Sequence, residues 1–243
     1  MIEIHGLTKR FGVHTVVDRL SFNAVPGQVT GFLGPNGAGK TTTLRMLLGL
    51  DRITEGRATI DGKPYASLRR PATVVGAQLD IGGAHPSHTA RAHLSWIARA
   101  SGIPLARVGE VLAEVGLERA AHARVRTFSL GMGQRLNLAA ALLGDPTTVI
   151  MDESVNGLDP EGIRWMRTFT GKLAGQGRTV LLSSHLMTEI AKIADHLVVI
   201  DRGRLVATGA PSELTAGHGS LEDAFFALTS GAQGASGVWG GAS

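Results

Sequence analysis

Short runs of alternating hydrophobic and polar residues dominate the first quarter of the chain and predict β-strands. Three strands are predicted there, around Ile2 and Ile4, over Val16–Phe22 and over Val29–Leu33. A helix is expected to begin after Lys40 and to end at Gly49, because glycine commonly follows a helix C-terminus. A further pair of strands is predicted at Arg57–Ile60 and Thr73–Ala77, with a turn at Asp61–Gly62.

The pattern changes to helical spacing after Leu79. A loop rich in glycine, proline and histidine covers residues 81–89, and Thr89 is a suitable N-cap for a helix through Ala100. Two more helices are predicted, over Val108–Val115 and Gln134–Leu143. Three consecutive helices after alternating strands predict an inserted α-helical subdomain over about residues 81–143.

Strand–helix alternation returns in the second half of the chain. Strands are predicted at Val149–Met151, Thr179–Ser183, Leu197–Ile200 and Leu205–Ala207, and helices at Pro160–Ala174 and Leu186–Ala194. This alternation predicts an α/β fold. Residues 230–243 are rich in glycine, alanine and serine, so we expect a folded domain over residues 1–229 and a disordered tail after it.

Composition excludes several classes of protein. The 243 residues are 43% hydrophobic and 18% charged, which excludes intrinsic disorder. Because there is no cysteine, thiolate metal sites, disulfide scaffolds and cysteine nucleophiles are excluded. The net charge of +4 suits an anionic ligand or a membrane surface, but the charges are too dispersed to predict DNA binding. No run of apolar residues approaches the length of a membrane span, so we expect a soluble protein on the cytoplasmic side.

The strongest chemical signal is a complete match to G-x-x-x-x-G-K-[ST] between a predicted strand and a predicted helix. Glycines let such a loop wrap with its N–H groups inward, and the following helix directs its positive end at phosphates. Lys40 would reach the β- and γ-phosphates of a nucleotide, and the Thr41 hydroxyl would hold Mg²⁺. The expected phosphate-binding residues are Gly34, Pro35, Asn36, Gly37, Ala38, Gly39, Lys40, Thr41 and Thr42.

Two acidic residues follow the apolar strand at Val149–Met151. Phosphoryl-transfer chemistry of this type needs a carboxylate near the metal at the end of a second strand. We expect Asp152 to hold Mg²⁺ through water and Glu153 to polarise the attacking water. The alternative is an acidic pair that merely closes a buried strand.

Further motifs make the chain resemble the nucleotide-binding subunit of ABC transporters, over about residues 1–228. The segment Phe128–Arg135 (FSLGMGQR) is similar to the signature motif of that family, and Asn156–Pro160 (NGLDP) is similar to its D-loop. The segment Ser183–His185 is similar to its switch histidine. The resemblance implies an ABC-type P-loop fold with an N-terminal antiparallel β subdomain and the helical subdomain already predicted.

The resemblance also implies roles for single residues. Ser129 and Gly131 would face the γ-phosphate that a second subunit binds, and Asp159 of the D-loop would lie at the same site. His185 would hold the γ-phosphate and the attacking water, although a lone histidine is more often structural. Phe11 would stack on adenine, with a core position as the alternative.

The position of the Q-loop glutamine of the family is open. Counting from Gly76 or from Pro86 places it at Asp80, whereas Gln78 comes two residues earlier. Both residues would lie on one face of an extended strand. Asp80 is the favoured equivalent, and its carboxylate would contact Mg²⁺ and nucleotide.

Three residues depart from the pattern of the family. Leu130 and Met132 replace a glycine and a glutamine of the signature, and Ser154 replaces the proline that follows the glutamate. We expect the bulk of Leu130 to crowd the approach to the nucleotide of the partner. Trp96 and Trp165 are expected to be packing residues.

The function implied is an ATPase subunit that uses ATP and Mg²⁺ to drive a separate transmembrane permease, of the exporter type related to drug and antibiotic resistance. It would act as a head-to-tail pair, as a homodimer, at the cytoplasmic face of the cell membrane. The alternatives are a soluble ABC-type ATPase acting on nucleic acid or ribosomes, and a P-loop kinase. No nucleic acid partner is expected, because residues 41–128 leave room for little beyond the helical subdomain.

Overall fold

The computed structural model describes residues 1–79 and 83–234. Its strands are β1 (Ile2–Phe11), β2 (His14–Ala24), β3 (Val29–Leu33), β4 (Glu55–Ile60), β5 (Val75–Gln78), β6 (Thr148–Asp152), β7 (Thr179–Ser184), β8 (His196–Asp201) and β9 (Arg204–Gly209). Its α-helices are α1 (Lys40–Leu47), α2 (Pro71–Val74), α3 (Ala90–Ala100), α4 (Ala106–Glu114), α5 (Leu130–Leu142), α6 (Pro160–Gly175), α7 (Met187–Ala191), α8 (Pro211–Leu214) and α9 (Leu221–Gly234).

The strands form two sheets. One is a three-stranded antiparallel sheet in the order β2-β1-β4. The other has six strands in the order β5-β6-β7-β3-β8-β9, and its strands are parallel except for β9. Every residue of β3, β6 and β7 is buried, as expected of central parallel strands covered on both faces. One apolar cluster fills the space between the two sheets, where the rings of Phe22 and Phe32 stack with centroids 5.0 Å apart.

A second apolar cluster joins the helices α3, α4 and α5 to the other face of the parallel sheet. Thr89 caps α3 as predicted, because its side chain accepts a hydrogen bond from the Ala92 N–H at 3.1 Å. Helix α5 lies very close to β5. A Cβ atom added at Gly76 would be only 2.1 Å from the Ala141 carbonyl oxygen, so this approach requires glycine.

The predicted pairing of Arg57–Ile60 with Thr73–Ala77 is wrong. Strand β4 pairs with β1, whereas β5 pairs with β6 in the other sheet, and residues 71–74 form the short helix α2 instead of extending β5. A hairpin needs a short connection, and the helix begins at a proline that cannot donate to a strand ladder. Helix α5 also begins four residues before the predicted start at Gln134.

The predicted packing role of Trp96 is also wrong, because its side chain is 67% exposed. Trp165 packs as predicted, stacked on Phe169 at 4.9 Å and covered by the Arg135 guanidinium at 4.3 Å. Helix α9 extends to Gly234, so the predicted start of the tail at residue 230 falls inside this helix, and residues 235–243 lie outside the described part. In the described ranges, no helix has both the length and the apolar character needed to span a membrane.

Candidate functional site

The predicted phosphate loop connects β3 to α1 and encloses the Lys40 side chain, which is 5% exposed. The Lys40 ammonium donates to the carbonyl oxygens of Gly34 at 2.8 Å and Pro35 at 3.2 Å. Gly39, just before the helix, has a φ of 102°, and an added Cβ would lie 2.9 Å from the Val16 carbonyl oxygen. The loop therefore needs glycine there both for its backbone conformation and for space.

The carboxylate Asp152 lies at the end of β6, close to Thr41 at the start of α1. The Thr41 hydroxyl donates to Asp152 Oδ2 at 2.7 Å, and the Ser183 hydroxyl donates to Asp152 Oδ1. Burial raises the pKa of Asp152 above its usual range, against the lowering effect of these two hydrogen bonds. The hydroxyl and carboxylate oxygens form a hard donor set of the kind that Mg²⁺ prefers, so the residues present fit this ion.

Glu153, the next residue, has a φ of 51°, a left-handed conformation that is uncommon for a residue with a side chain. Among the described residues its carboxylate has three partners: Lys40 Nζ lies 3.1 Å from Oε1, and both His185 Nδ1 and Asn156 Nδ2 lie 3.0 Å from Oε2. Burial alone would raise the pKa of Glu153, but the charge and hydrogen bond of Lys40, together with His185, hold that pKa below its ordinary value. The carboxylate is therefore kept ionised beside the loop.

The sheet topology brings these groups together. Strand β7 lies between β3 and β6, so the residues at the carboxyl ends of all three strands meet at one edge. The residues that follow these strands line a cavity of about 360 Å³, the phosphate cavity, whose walls include Asn36, Gly37, Gly39, Lys40, Thr41, Thr42, Glu153, Asn156 and His185. Gly34, Pro35, Ala38 and Asp152 do not line it. Gly34 and Pro35 hold Lys40 through their carbonyl groups, and Asp152 contacts the lining residue Thr41.

The signature residues line a different cavity of about 400 Å³, the signature cavity, between the N-termini of α5 and α6. The Ser129 hydroxyl caps α5 by accepting from the Met132 N–H at 3.3 Å, as predicted, and Asp159 caps α6 by accepting from the Gly162 N–H at 2.7 Å. Gly131 lines the same cavity. The signature cavity and the phosphate cavity share no lining residue. Within one chain, Ser129, Gly131 and Asp159 therefore do not line the phosphate cavity.

Two predicted nucleotide contacts lie elsewhere. The Phe11 ring is 51% exposed, so the alternative core position is wrong, and the Lys9 ammonium lies 4.7 Å from its centroid. Phe11 does not line the phosphate cavity, and its stacking on adenine stays a prediction. Asp80 lies outside the described residues.

The sequence interpretation missed two contacts. Asn156, which the sequence indicates only as the start of the D-loop motif, donates to Glu153. The sequence signal for this contact is that Asn156 lies three residues after Glu153 and is followed by a glycine that favours a turn. Gln78 is 4% exposed, and its amide donates to Gln134 Oε1 at 2.5 Å on α5, the signature helix. A lone glutamine at a strand end gives no signal of such a partner.

The order of these motifs matches a known family. The sequence pattern of the ABC transporter family matches residues 17–156. The chain belongs to the ABC transporter family. It is 42% identical over 220 residues to the Nod factor export ATP-binding protein I of Paraburkholderia xenovorans, covering 88% of this chain and 72% of that protein. It is also 42% identical over 213 residues to the bacitracin transport ATP-binding protein BcrA of Bacillus licheniformis, covering 85% of this chain and 68% of that protein.

The fold agrees with this family. The solved structure of an ATP-binding subunit of an ABC transporter superposes with a TM-score of 0.82 at 27% identity, covering 94% of this chain and 99% of that chain. The predicted fold class is therefore confirmed, and the chain is an ATP-binding, ATP-hydrolysing subunit of the ABC transporter family.

Proposed function

We propose that this ABC ATPase drives export through a separate membrane permease, as a head-to-tail homodimer that sits at the cytoplasmic face of the cell membrane. The observation that carries the proposal is the separation of the phosphate cavity from the signature cavity. Both cavities carry groups suited to anions, yet in one chain no residue lines both of them. Two chains in opposite orientation would set the signature of each against the phosphate cavity of the other.

The residues of the phosphate cavity suit hydrolysis of ATP. Lys40 exchanges its contacts with the loop carbonyls and with Glu153 for the β- and γ-phosphates, since phosphate oxygens carry more negative charge. Mg²⁺ would be held by the Thr41 hydroxyl and by Asp152, and would supply positive charge beside the phosphates. Glu153 accepts a proton from the water that attacks the γ-phosphorus, while the bond to the ADP oxygen breaks. His185 orients the γ-phosphate and the water.

The helix caps explain the contribution of the second chain. Ser129 begins a helix of 13 residues whose partly unpaired N–H groups favour a negative charge at that end. In the head-to-tail pair this helix end faces the γ-phosphate bound by the other chain. ATP therefore stabilises the closed pair, and loss of the γ-phosphate reopens it.

Export is supported by the relatives. The relative from Paraburkholderia xenovorans is named for Nod factor export and that from Bacillus licheniformis for bacitracin transport. Neither name favours the alternative of an ATPase acting on nucleic acid. The cargo would be selected by the permease.

The test is the oligomeric state of the full chain with Glu153→Gln, measured by size-exclusion chromatography with light scattering. We expect a dimer in ATP and a monomer without it, because the amide keeps the packing but does not accept the proton. Adding Ser129→Arg should abolish the dimer, whereas the matched change Ser212→Arg on α8 should not. A Glu153→Gln chain that stays monomeric in saturating ATP, or one that dimerises despite Ser129→Arg, would contradict the composite site.

A further inference from the structure

Asn156 is joined to Glu153 by two hydrogen bonds within one turn, one from its backbone and one from its side chain. The Asn156 backbone N–H donates to the Glu153 carbonyl oxygen at 3.2 Å, and the side-chain Nδ2 donates to Glu153 Oε2 at 3.0 Å. Asn156 lies between β6 and α6 and lines the phosphate cavity. The amide orientation follows from this contact, because the reverse orientation would set two acceptor oxygens against each other.

The three contacts of the Glu153 carboxylate differ in what nucleotide binding does to them. Lys40 and His185 are the groups that the proposed function assigns to the phosphates, so both would turn from Glu153 to the nucleotide. The Asn156 amide carries no charge, so the phosphates do not attract it away from Glu153 as they attract Lys40. Among the contacts described for this carboxylate, the Asn156 amide is therefore the one that remains when ATP is bound.

The other side-chain atom of Asn156 is also informative. Asn156 Oδ1 is buried and accepts no hydrogen bond from the described residues. An unpaired buried carbonyl costs about 1–3 kcal/mol in general, and natural proteins seldom retain one without a use. Because this oxygen is shielded from solvent, the side chain of Asn156 is held among the described residues by its contact with Glu153.

We propose that Asn156 is a positioning residue for ATP hydrolysis, whose amide holds the Glu153 carboxylate in place after Lys40 and His185 have turned to the phosphates. The proposal rests on the proposed role of Glu153 as proton acceptor. A carboxylate freed from this amide would rotate away from the attacking water, and a misplacement of about 1 Å can cost on the order of 100-fold in rate. Binding of ATP, which depends on the loop and on Lys40, would be unaffected.

The experiment compares steady-state ATP hydrolysis by the full chain and by Asn156→Leu, which has a similarly branched side chain but no donor. We expect kcat to fall by on the order of 100-fold and the KM for ATP to stay within about twofold. Asn156→Ala serves as a second variant if the leucine impairs folding, with the same expectation. The matched change Asn23→Leu, on the exposed side of β2, should leave both constants unchanged.

A double variant separates positioning from packing. In the Glu153→Gln chain, adding Asn156→Leu should change the residual rate by less than about twofold, because Asn156 acts through a carboxylate that is already absent. The proposal would be overturned if kcat were unchanged in both Asn156 variants, or if only the KM for ATP changed. It would also be overturned if Asn156→Leu lowered the hydrolysis rate of the Glu153→Gln chain by the full factor seen in wild type. A Glu153→Gln chain that hydrolyses ATP at the wild-type rate would instead overturn the role of Glu153 itself.

Discussion

The side chain of Leu130 lies against Gly157 of the same chain. A Cβ atom added at Gly157 would be 2.7 Å from Leu130 Cδ2, and Gly157 has a φ of 71°. Leu130, the first residue of α5, thus packs into the space beside Gly157 of the D-loop, where a residue with a side chain would clash. Leu130 remains 46% exposed, so part of its surface is still free to meet a partner chain. Its bulk, which the sequence suggested would crowd the partner's nucleotide, is partly taken up within its own chain.

Gly157→Ala should lower the free energy of unfolding by about 1–3 kcal/mol, because it combines a left-handed backbone with a clash against Leu130. Denaturation in urea measures this change. Adding Leu130→Ala should recover the loss in unfolding free energy that is due to the clash, whereas the loss due to the left-handed backbone should remain. Additive effects of the two changes would show that the contact with Leu130 is not a constraint.

Lys40→Ala should weaken ATP binding by about 10- to 100-fold, since charge-assisted hydrogen bonds contribute about 1.5–3 kcal/mol. The fold should remain, because β3 and α1 are buried on either side of the loop by apolar contacts. Nucleotide titration and thermal unfolding of the same sample check both points. The exposed Lys192, which follows α7, supplies the control, and Lys192→Ala should bind ATP normally. Undiminished affinity of Lys40→Ala would remove the phosphate-loop assignment.

Gln78→Ala should destabilise the protein by about 1–3 kcal/mol, because it leaves the buried Gln134 amide without its partner. The double variant Gln78→Leu and Gln134→Leu should be closer to wild type than the sum of the single changes, since it removes both polar groups. The cycle is measured by chemical denaturation of wild type, Gln78→Leu, Gln134→Leu and the double variant. Strict additivity of the changes in unfolding free energy would show that the two amides do not interact.

Acidification should destabilise the protein through His93 on α3. Burial, with a smaller effect of His88, holds the pKa of His93 below its ordinary value. The unfolded chain therefore binds a proton at about pH 6.5 while the folded chain resists it, so stability is complete above that pH and falls as the pH drops below it. Unfolding of wild type and His93→Gln between pH 7.5 and 5.5 measures the difference. The His93→Gln chain should lose less stability, whereas the exposed change His14→Gln should alter nothing.

The phosphate loop and the acidic pair could be predicted from the sequence because their chemistry is local. Gly34–Thr41 forms within one strand–loop–helix segment, and its glycines directly indicate a loop whose backbone adopts conformations that other residues disfavour. Asp152 and Glu153 follow a continuous apolar run, which identifies the end of a buried strand. The caps at Thr89 and Ser129 follow from residue type and the helical pattern after them.

Contacts between distant segments were decided only by the tertiary structure. The order of strands places β7 between β3 and β6, and this is what brings His185 and Lys40 to the Glu153 carboxylate. The exposure of Trp96 depends likewise on which face of α3 the neighbouring elements cover, and the partner of Gln78 depends on the packing of α5 against β5. A sequence pattern specifies the period of an element and its apolar side, but strand order and side-chain partners arise from the packing of all the elements together.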